Sequence, residues 1–444
     1  MHCHFHNPVS IHSGPGMRRQ IGALAAKYGK KALIVTTGSA HSRALAEEAG
    51  ASLEAAGLGW AHYNGIRPNP LGSMTAEGAQ AARDNGCDMV IGIGGGSVMD
   101  ASKGIAFAYY NDAPIFEYIY GRKQGGQALP ILLIATTAGT GSEGNWTAVF
   151  TDTDHVKKGF ALPALYPKES IVDPELMTTL SSRGIAGPGF DALAHAIESF
   201  LSVRANPFSK LYSRQAILWL SEGLPKVQAS PSDLETWERV ALGSTFAGIA
   251  IGNAGCTAPH GIEHPISGLL NVAHGEGLAA IYPEYMRFMR PHAQADFAEL
   301  ARLLGAETSG LTEEEASLRA VEQVDALLKT LGIAFTLSDL GVRESQLDWL
   351  SRTALDSMPA VFANNPAAMT SEDVKTILER RLSAYTVSQP SGPEILGFQG
   401  RSVIRLFTGG SRLPEQRRYG ERAVFASLPR FPSYEKSFHT CTPV

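Results

Sequence analysis

Between His260 and Gly277 the chain reads HGIEHPISGLLNVAHGEG, which places three imidazoles within fifteen residues. Upstream, GPGFDALAHAIES carries Asp191 and His195 four positions apart, a spacing that brings both side chains to one face of a helix. His260 and His264 repeat that spacing, and His274 follows ten residues later on a glycine-rich turn. Taken singly, each residue is more often a satisfied core group than a ligand. An Asp–His pair on one helix and a His–His pair on another shift that balance, because four N/O donors suit Zn²⁺ or Fe²⁺ and leave room for a further oxygen. Cys256 lies one turn before His260. It is a conceivable soft ligand, but a buried packing thiol is the simpler reading, since the other donors suffice.

Two glycine-rich segments carry a second kind of chemistry. GIGGGSVMDASKG ends an apolar run at Ile93, and Gly94-Gly95-Gly96-Ser97 then opens a helix expected to run to Ala108. Glycines let a ligand approach the backbone, and free N–H groups at a helix start attract phosphate, with Ser97 able to cap the helix. ATTAGTGSEGN, from Ala135 to Asn145, repeats the theme. Tight strand-to-helix packing would also explain one such turn. Two of them, at the C-terminal ends of parallel strands, are where a doubly wound sheet binds nucleotides.

The elements that must position these residues can be read from periodicity. ALIVTT (32–37), DMVIGIGGG (88–96) and LPILLIATT (129–137) are apolar on both faces, as strands inside a parallel sheet are. Helical segments lie between them, SRALAEEAGASLEAAG and SMTAEGAQAARDNG, each ending at a glycine suited to a helix C-terminus. Strand and helix alternate, so an α/β N-terminal nucleotide-binding domain with a parallel sheet is expected over 1–178. From Ser181 the period is helical, in GFDALAHAIESFL, SRQAILWLSEGL and WERVALGSTFAGIAI. An all-helical metal and substrate domain is therefore expected over 179–384. Thr312 caps one of its helices, with glutamates in the first turn where the dipole favours them. Residues 385–444 are broken by Gly and Pro and carry seven Arg and one Lys against three Glu over 401–444. A loosely ordered tail is expected there.

Composition narrows the classes. A chain of 444 residues, 44% apolar and 18% charged, can bury a substantial core. A net charge of −5 gives no global pull towards nucleic acid or an anionic membrane. No window approaches the ~20 apolar residues of a membrane span. The four cysteines are scattered with no CxxC pair, and the first residues lack the pattern of a signal peptide. The expectation is a cytoplasmic enzyme or binding protein, with neither nucleic acid nor membrane as partner.

GGGSVMDASK, TTAGTGSE, DALAHAIE and the three-histidine stretch, in this order and spacing, resemble the iron-containing (group III) alcohol dehydrogenase family, over about residues 4–384 and including NNPAAMTSEDV. GIEHPISG and HGEGLAAIYPEYMRF resemble its butanol-dehydrogenase-like aldehyde reductases most. The resemblance implies Asp191, His195, His260 and His274 as metal ligands. It implies His264 as a histidine near nicotinamide and substrate that carries protons. It also implies Gly95, Gly96, Ser97, Asp100, Thr136, Thr137, Thr140 and Lys157 at the cofactor, although the adjacent Lys158 blurs the last assignment. Glu263 and Ser267 depart from the family's usual small residue and glycine, and the tail has no family counterpart.

What the resemblance implies is a metal acting as Lewis acid on an alcohol or carbonyl oxygen, with hydride passing to or from the nicotinamide. The substrate class is a small alcohol or aldehyde, the metal Fe²⁺ with Zn²⁺ as the alternative, and the expected assembly a homodimer. Thr37, Gly38 and Ser39 stand where an acid after the first strand would bind the ribose diol of NAD and repel a 2′-phosphate. With His41 and Arg43 close by, NADP(H) is favoured over NAD(H). Rival readings are a glycerol-dehydrogenase-like or dehydroquinate-synthase-like enzyme on the same fold, or a binding protein without catalysis. A lyase on a phosphorylated substrate calls for extra Lys or Arg near the metal motifs, where they are sparse.

Overall fold

The computed structural model describes residues 2–154 and 156–382. The expected tail over 385–444 lies outside the described residues. Six parallel strands form the main sheet: β1 (Ser10–Ser13), β2 (Lys31–Thr37), β3 (Gly59–Ile66), β4 (Met89–Gly94), β5 (Ile131–Ala135) and β8 (Glu169–Val172). Their order across the sheet is β1-β8-β5-β4-β2-β3, and β6 (Thr147–Thr151) pairs with β7 (Lys157–Ala161) as a separate antiparallel hairpin. The three strands expected from sequence, β2, β4 and β5, are the buried centre.

Alternation along these strands shows why their sequences look uniformly apolar. Leu33, Val35, Val90, Ile131 and Leu133 enter a core on one face, while Ala32, Ile34, Met89, Ile91, Leu132 and Ile134 enter a core on the other. A strand covered on both faces has no polar side to display. β1, β3, β8 and the hairpin were not expected. β1 and β8 are four residues long, β3 is a partly exposed edge carrying His62 and Asn64, and β7 begins with two lysines. Helices Ala40–Ala55 and Gly72–Asp84 cover the sheet, and Gly57 and Gly86 beyond their ends take positive φ, of 77° and 63°.

The boundary expected at 178 falls between the short turn Pro174–Met177 and the helix Ser182–Leu201. From there to Leu382 the described chain is helical, with helices Pro207–Ala229, Leu234–Ala254, Ala258–Leu270 and His274–Met289 among others. Ser181, Asn206, Asp233 and Thr312 each cap a helix by accepting from a backbone N–H of its first turn. Among the described residues no single helix is long and apolar enough to cross a membrane.

Glycine contacts set the spacing of the helices that matter most. A Cβ on Gly275 would lie 2.0 Å from the Gly187 carbonyl oxygen, and one on Gly248 would lie 2.0 Å from that of Gly141. The first contact brings the helices of Asp191 and His274 together at their backbones. The second presses the Leu234–Ala254 helix against the loop after β5. There Gly141 takes φ 58°, a conformation that side chains other than glycine rarely adopt.

Candidate metal and nucleotide site

Three helices bring four donors to one point. Asp191 Oδ1 lies 3.3 Å from His260 Nε2, 3.5 Å from His274 Nε2 and 3.6 Å from His195 Nδ1. The His195 and His260 rings stack with centroids 4.3 Å apart. Asp191, His195 and His260 are nearly inaccessible to solvent, and His274 is only partly exposed. His274 is the first residue of its helix, with Ala273 as N-cap, and not part of the expected turn. The glycines that suggested a turn serve close packing inside the helix: Gly275 meets Gly187, and Gly277 meets Glu263.

Two buried carboxylates stand behind the imidazoles. Glu198 accepts from His260 Nδ1 at 2.7 Å and from the Thr257 backbone N–H at 2.8 Å. Glu263 accepts from His274 Nδ1. His260 and His274 thus each have Nδ1 engaged and Nε2 turned to Asp191, which fixes the tautomer whose Nε2 lone pair can bind a cation. Neither glutamate was assigned a role from sequence. Glu198 could have been found as an acid three positions after His195 in an otherwise apolar helical segment.

Charge states follow from the surroundings. Burial alone would lower the pKa of His260, but Glu198 and Asp191 raise it to about 10. Burial lowers His195 to about 3 against the pull of Asp191, leaving a neutral ring whose Nδ1 has no hydrogen-bond partner. Although burial alone would raise it, the three imidazoles hold Asp191 well below the usual carboxylate range. Three buried carboxylates, converging imidazole nitrogens and an orphaned ring nitrogen form a donor set that fits a divalent cation. The Cys256 thiol is partly buried at the cleft wall, packed against the core as expected, and it also shares a ligand-sized cluster with His195 and His260. Burial, then the Glu198 and Asp191 charges, push its pKa well up, so it is a neutral thiol.

A cleft of about 740 Å³ opens over this cluster. Gly96, Ser97, Asp100, Thr137, Thr140 and Lys157 line one wall, and Asp191, His195, His260, His264 and His274 the other. The turns after β2, β4 and β5 lie side by side because those strands are neighbours. Gly95 and Gly96 abut Thr137 and Thr140, where an added Cβ would come within 2.9 Å and 2.3 Å of those side chains. Close loop packing therefore needs these glycines whatever binds there. Ser97 is not the cap expected of it: Gly95 is the N-cap and makes no side-chain bond. Asp100 is already engaged, accepting from Ser142 Oγ at 2.7 Å and from Val149 N–H at 2.9 Å. Lys103, which sequence reasoning passed over, is fully buried and donates to Ser142 O, Ser142 Oγ and Thr147 O, each at 2.7 Å, tying down the loop after β5.

Lys157 and Lys158 part company in the hairpin. Lys157 faces the cleft, with Nζ 3.3 Å from Asn69 Oδ1 and 3.4 Å from Ser267 Oγ, while Lys158 lies over the Tyr120 ring. Asn69 donates to Asn271 Oδ1 at 2.9 Å, so residues from the sheet side and the helical side meet beside Lys157. His264 is buried on the cleft wall with Nδ1 unpartnered, and burial, then the Lys157 charge, hold its pKa well below the ordinary value. Thr37, Gly38, Ser39, Gly95 and Thr136 do not line the cleft. Thr37 and Ser39 share hydrogen bonds with Ser42 at 2.7 and 2.8 Å at the C-terminal end of β2.

Residues 8–174 match the family described as "Iron-containing alcohol dehydrogenase", and residues 185–382 match "Fe-containing alcohol dehydrogenase family, C-terminal". The chain belongs to the iron-containing alcohol dehydrogenase family. It is 33% identical to an NAD-dependent methanol dehydrogenase of Bacillus methanolicus over 377 residues, which cover 84% of this chain and 98% of that one. It is 32% identical to the lactaldehyde reductase of Escherichia coli over 366 residues, 80% of this chain and 94% of the relative. Among solved structures, an NADH-dependent butanol dehydrogenase A of Thermotoga maritima superposes with a TM-score of 0.79 at 29% identity, covering 86% of this chain and 99% of that one. As an iron-containing alcohol dehydrogenase, the chain is an oxidoreductase, and its fold is that of its relatives: a parallel six-stranded sheet followed by a mostly helical part.

Proposed function

We propose that the chain is a metal-dependent, nicotinamide-linked alcohol dehydrogenase or aldehyde reductase acting on small primary alcohols and their aldehydes. The supporting observation is the convergence of Asp191, His195, His260 and His274 at the floor of a cleft whose opposite wall is built from two glycine-rich turns. These four residues would hold Fe²⁺, or Zn²⁺ in its place, and the bound cation would supply Lewis acidity to the substrate oxygen. The chain's own groups do the rest. Gly96, Ser97, Thr137 and Thr140, with Gly95 and Thr136 behind them, seat the nucleotide, and Asp100 and Lys157 flank its nicotinamide end. His264, neutral and with Nδ1 free, exchanges a proton with the substrate oxygen. Because it is buried, that proton reaches solvent through the open cleft and not across the helix.

NADP(H) is the preferred cofactor in this reading. Two relatives carry NAD or NADH in their names, so the preference rests on the turn after β2, where Thr37, Gly38 and Ser39 offer hydroxyls and backbone and no carboxylate. Residues 1–178 and 179–384 are proposed as the two functional domains, working in the cytoplasm as a homodimer. The test is purified protein loaded with Fe²⁺ or Zn²⁺ and given butanal with NADPH or NADH, following the nicotinamide absorbance, with metal content measured alongside. Turnover that depends on metal is expected. Tight metal binding with no oxidation of either nucleotide across a series of short aldehydes would overturn the reading.

A further inference from the structure

Glu263 is fully buried one position before His264, on the helix that also carries His260. Its Oε2 accepts from His274 Nδ1 and from Ser267 Oγ, the latter at 3.3 Å. Ser267 Oγ in turn accepts from Lys157 Nζ at 3.4 Å. Its other oxygen, Oε1, has no hydrogen-bond partner among the described residues. Space for the carboxylate comes from Gly277, where an added Cβ would sit 2.6 Å from Oε1 and 2.9 Å from Cγ. The two positions that depart from the usual family pattern, 263 and 267, are therefore in contact and lead to the same histidine.

We propose that Glu263 is the positioning residue for His274. It holds the Nδ1–H, which turns the Nε2 lone pair towards Asp191 and the metal, while Ser267 and Gly277 seat the carboxylate. The proposal rests on the metal assignment made above. A buried carboxylate with one oxygen unpaired is costly unless opposite charge is near. A divalent cation on the far nitrogen of the same imidazole provides that charge. Such outer carboxylates raise the basicity of the ligand and fix its ring orientation. A carboxylate that only filled space would carry out neither task, and the two roles separate in experiment.

The test measures the dissociation constant for Zn²⁺ by competition with a chromophoric chelator, in the full chain and three variants, together with the melting temperature of each metal-free protein. Glu263→Ala should weaken binding about 10- to 100-fold. Glu263→Gln should recover most of that loss, because a carbonyl oxygen in the place of Oε2 can still accept from both His274 and Ser267. Gly277→Ala leaves residue 263 intact but drives its carboxylate aside, and should weaken binding at least about threefold. Zn²⁺ affinity of Glu263→Ala within threefold of the parent, or equal losses in the Ala and Gln variants, would overturn the proposal. If Glu263→Ala does not fold, Gly277→Ala decides, and parent-like affinity there is fatal. A parent that binds no Zn²⁺ sinks the metal assignment and takes this proposal with it. A parent that binds tightly beside indifferent variants sinks only the role of Glu263.

Discussion

Replacing Glu198 by Gln changes almost no volume and should still cripple the proposed metal site. The Glu198 carboxylate accepts from two donors at once, His260 Nδ1 and the Thr257 N–H. An amide has only one accepting oxygen. If that oxygen takes the Thr257 N–H, the amide NH₂ faces His260 Nδ1 and favours the tautomer protonated on Nε2, the nitrogen that faces Asp191. If the amide turns round, two N–H groups collide in a site from which water is excluded. With His260 held in the tautomer that frees Nε2 for a metal, either arrangement leaves one buried donor unpaired, about 1–3 kcal/mol, or about one to two decades in metal affinity. Anaerobic competition for Fe²⁺ or Zn²⁺ against a chelator of known affinity reads this directly, and thermal melting with and without metal shows how much of the loss is specific to the loaded state. Glu263→Gln is the internal control, since there His274 and Ser267 share a single accepting oxygen, which an amide carbonyl can replace. Metal affinity of Glu198→Gln within twofold of the parent would refute the tautomer argument.

Three further outcomes are expected. His264→Ala should keep the metal, since all four donors remain, while turnover falls ~10²-fold or more; an unchanged rate would leave His264 as packing alone. Thr37→Asp should weaken NADPH far more than NADH, by roughly one to two decades in the ratio of kcat/KM, because the carboxylate repels a 2′-phosphate in a partly exposed turn; a parent that already strongly prefers NADH would refute the reading of that turn. Burial lowers Lys103 to about 8, from 10.5 in the open chain, so its contribution to stability is complete above that higher value and is lost as pH falls through about 8. The stability of the parent relative to Lys103→Met should therefore climb between those pH values, by about 3 kcal/mol at the limit, and equal pH slopes for the two proteins would contradict the shift.

The central strands and most helices were legible because burial on two faces, or on one stripe, leaves a periodic trace. β2, β4 and β5 are continuous apolar runs, and Gly57 and Gly86 mark helix ends through conformations that favour glycine. β1 and β8 left no such trace, because four residues carry too little pattern to separate from noise. Lys157 opens a strand with another lysine beside it, so alternation could not say which one faces the cleft. The residues proposed as ligands stood out through spacing within single helices. What spacing could not reveal is how residues far apart in sequence meet: Glu198 behind His260, Glu263 behind His274, or Gly187 against Gly275. Ser97 is not the cap, because the helix begins two residues earlier than its hydroxyl suggested.

The backbone contact between Gly187 and Gly275 bears on how the proposed metal site keeps its dimensions. Two helices that touch through carbonyl and Cα cannot approach more closely, and they have no side chain between them to repack. The bore between Asp191 and His274 is therefore set by the main chain. Bond lengths near ~2.0–2.2 Å fit the 3.3–3.6 Å separations of the proposed donors. The spacing of the two helices is then inherited from one missing methyl group, that of Gly275, since a Cβ on Gly187 would meet only open space.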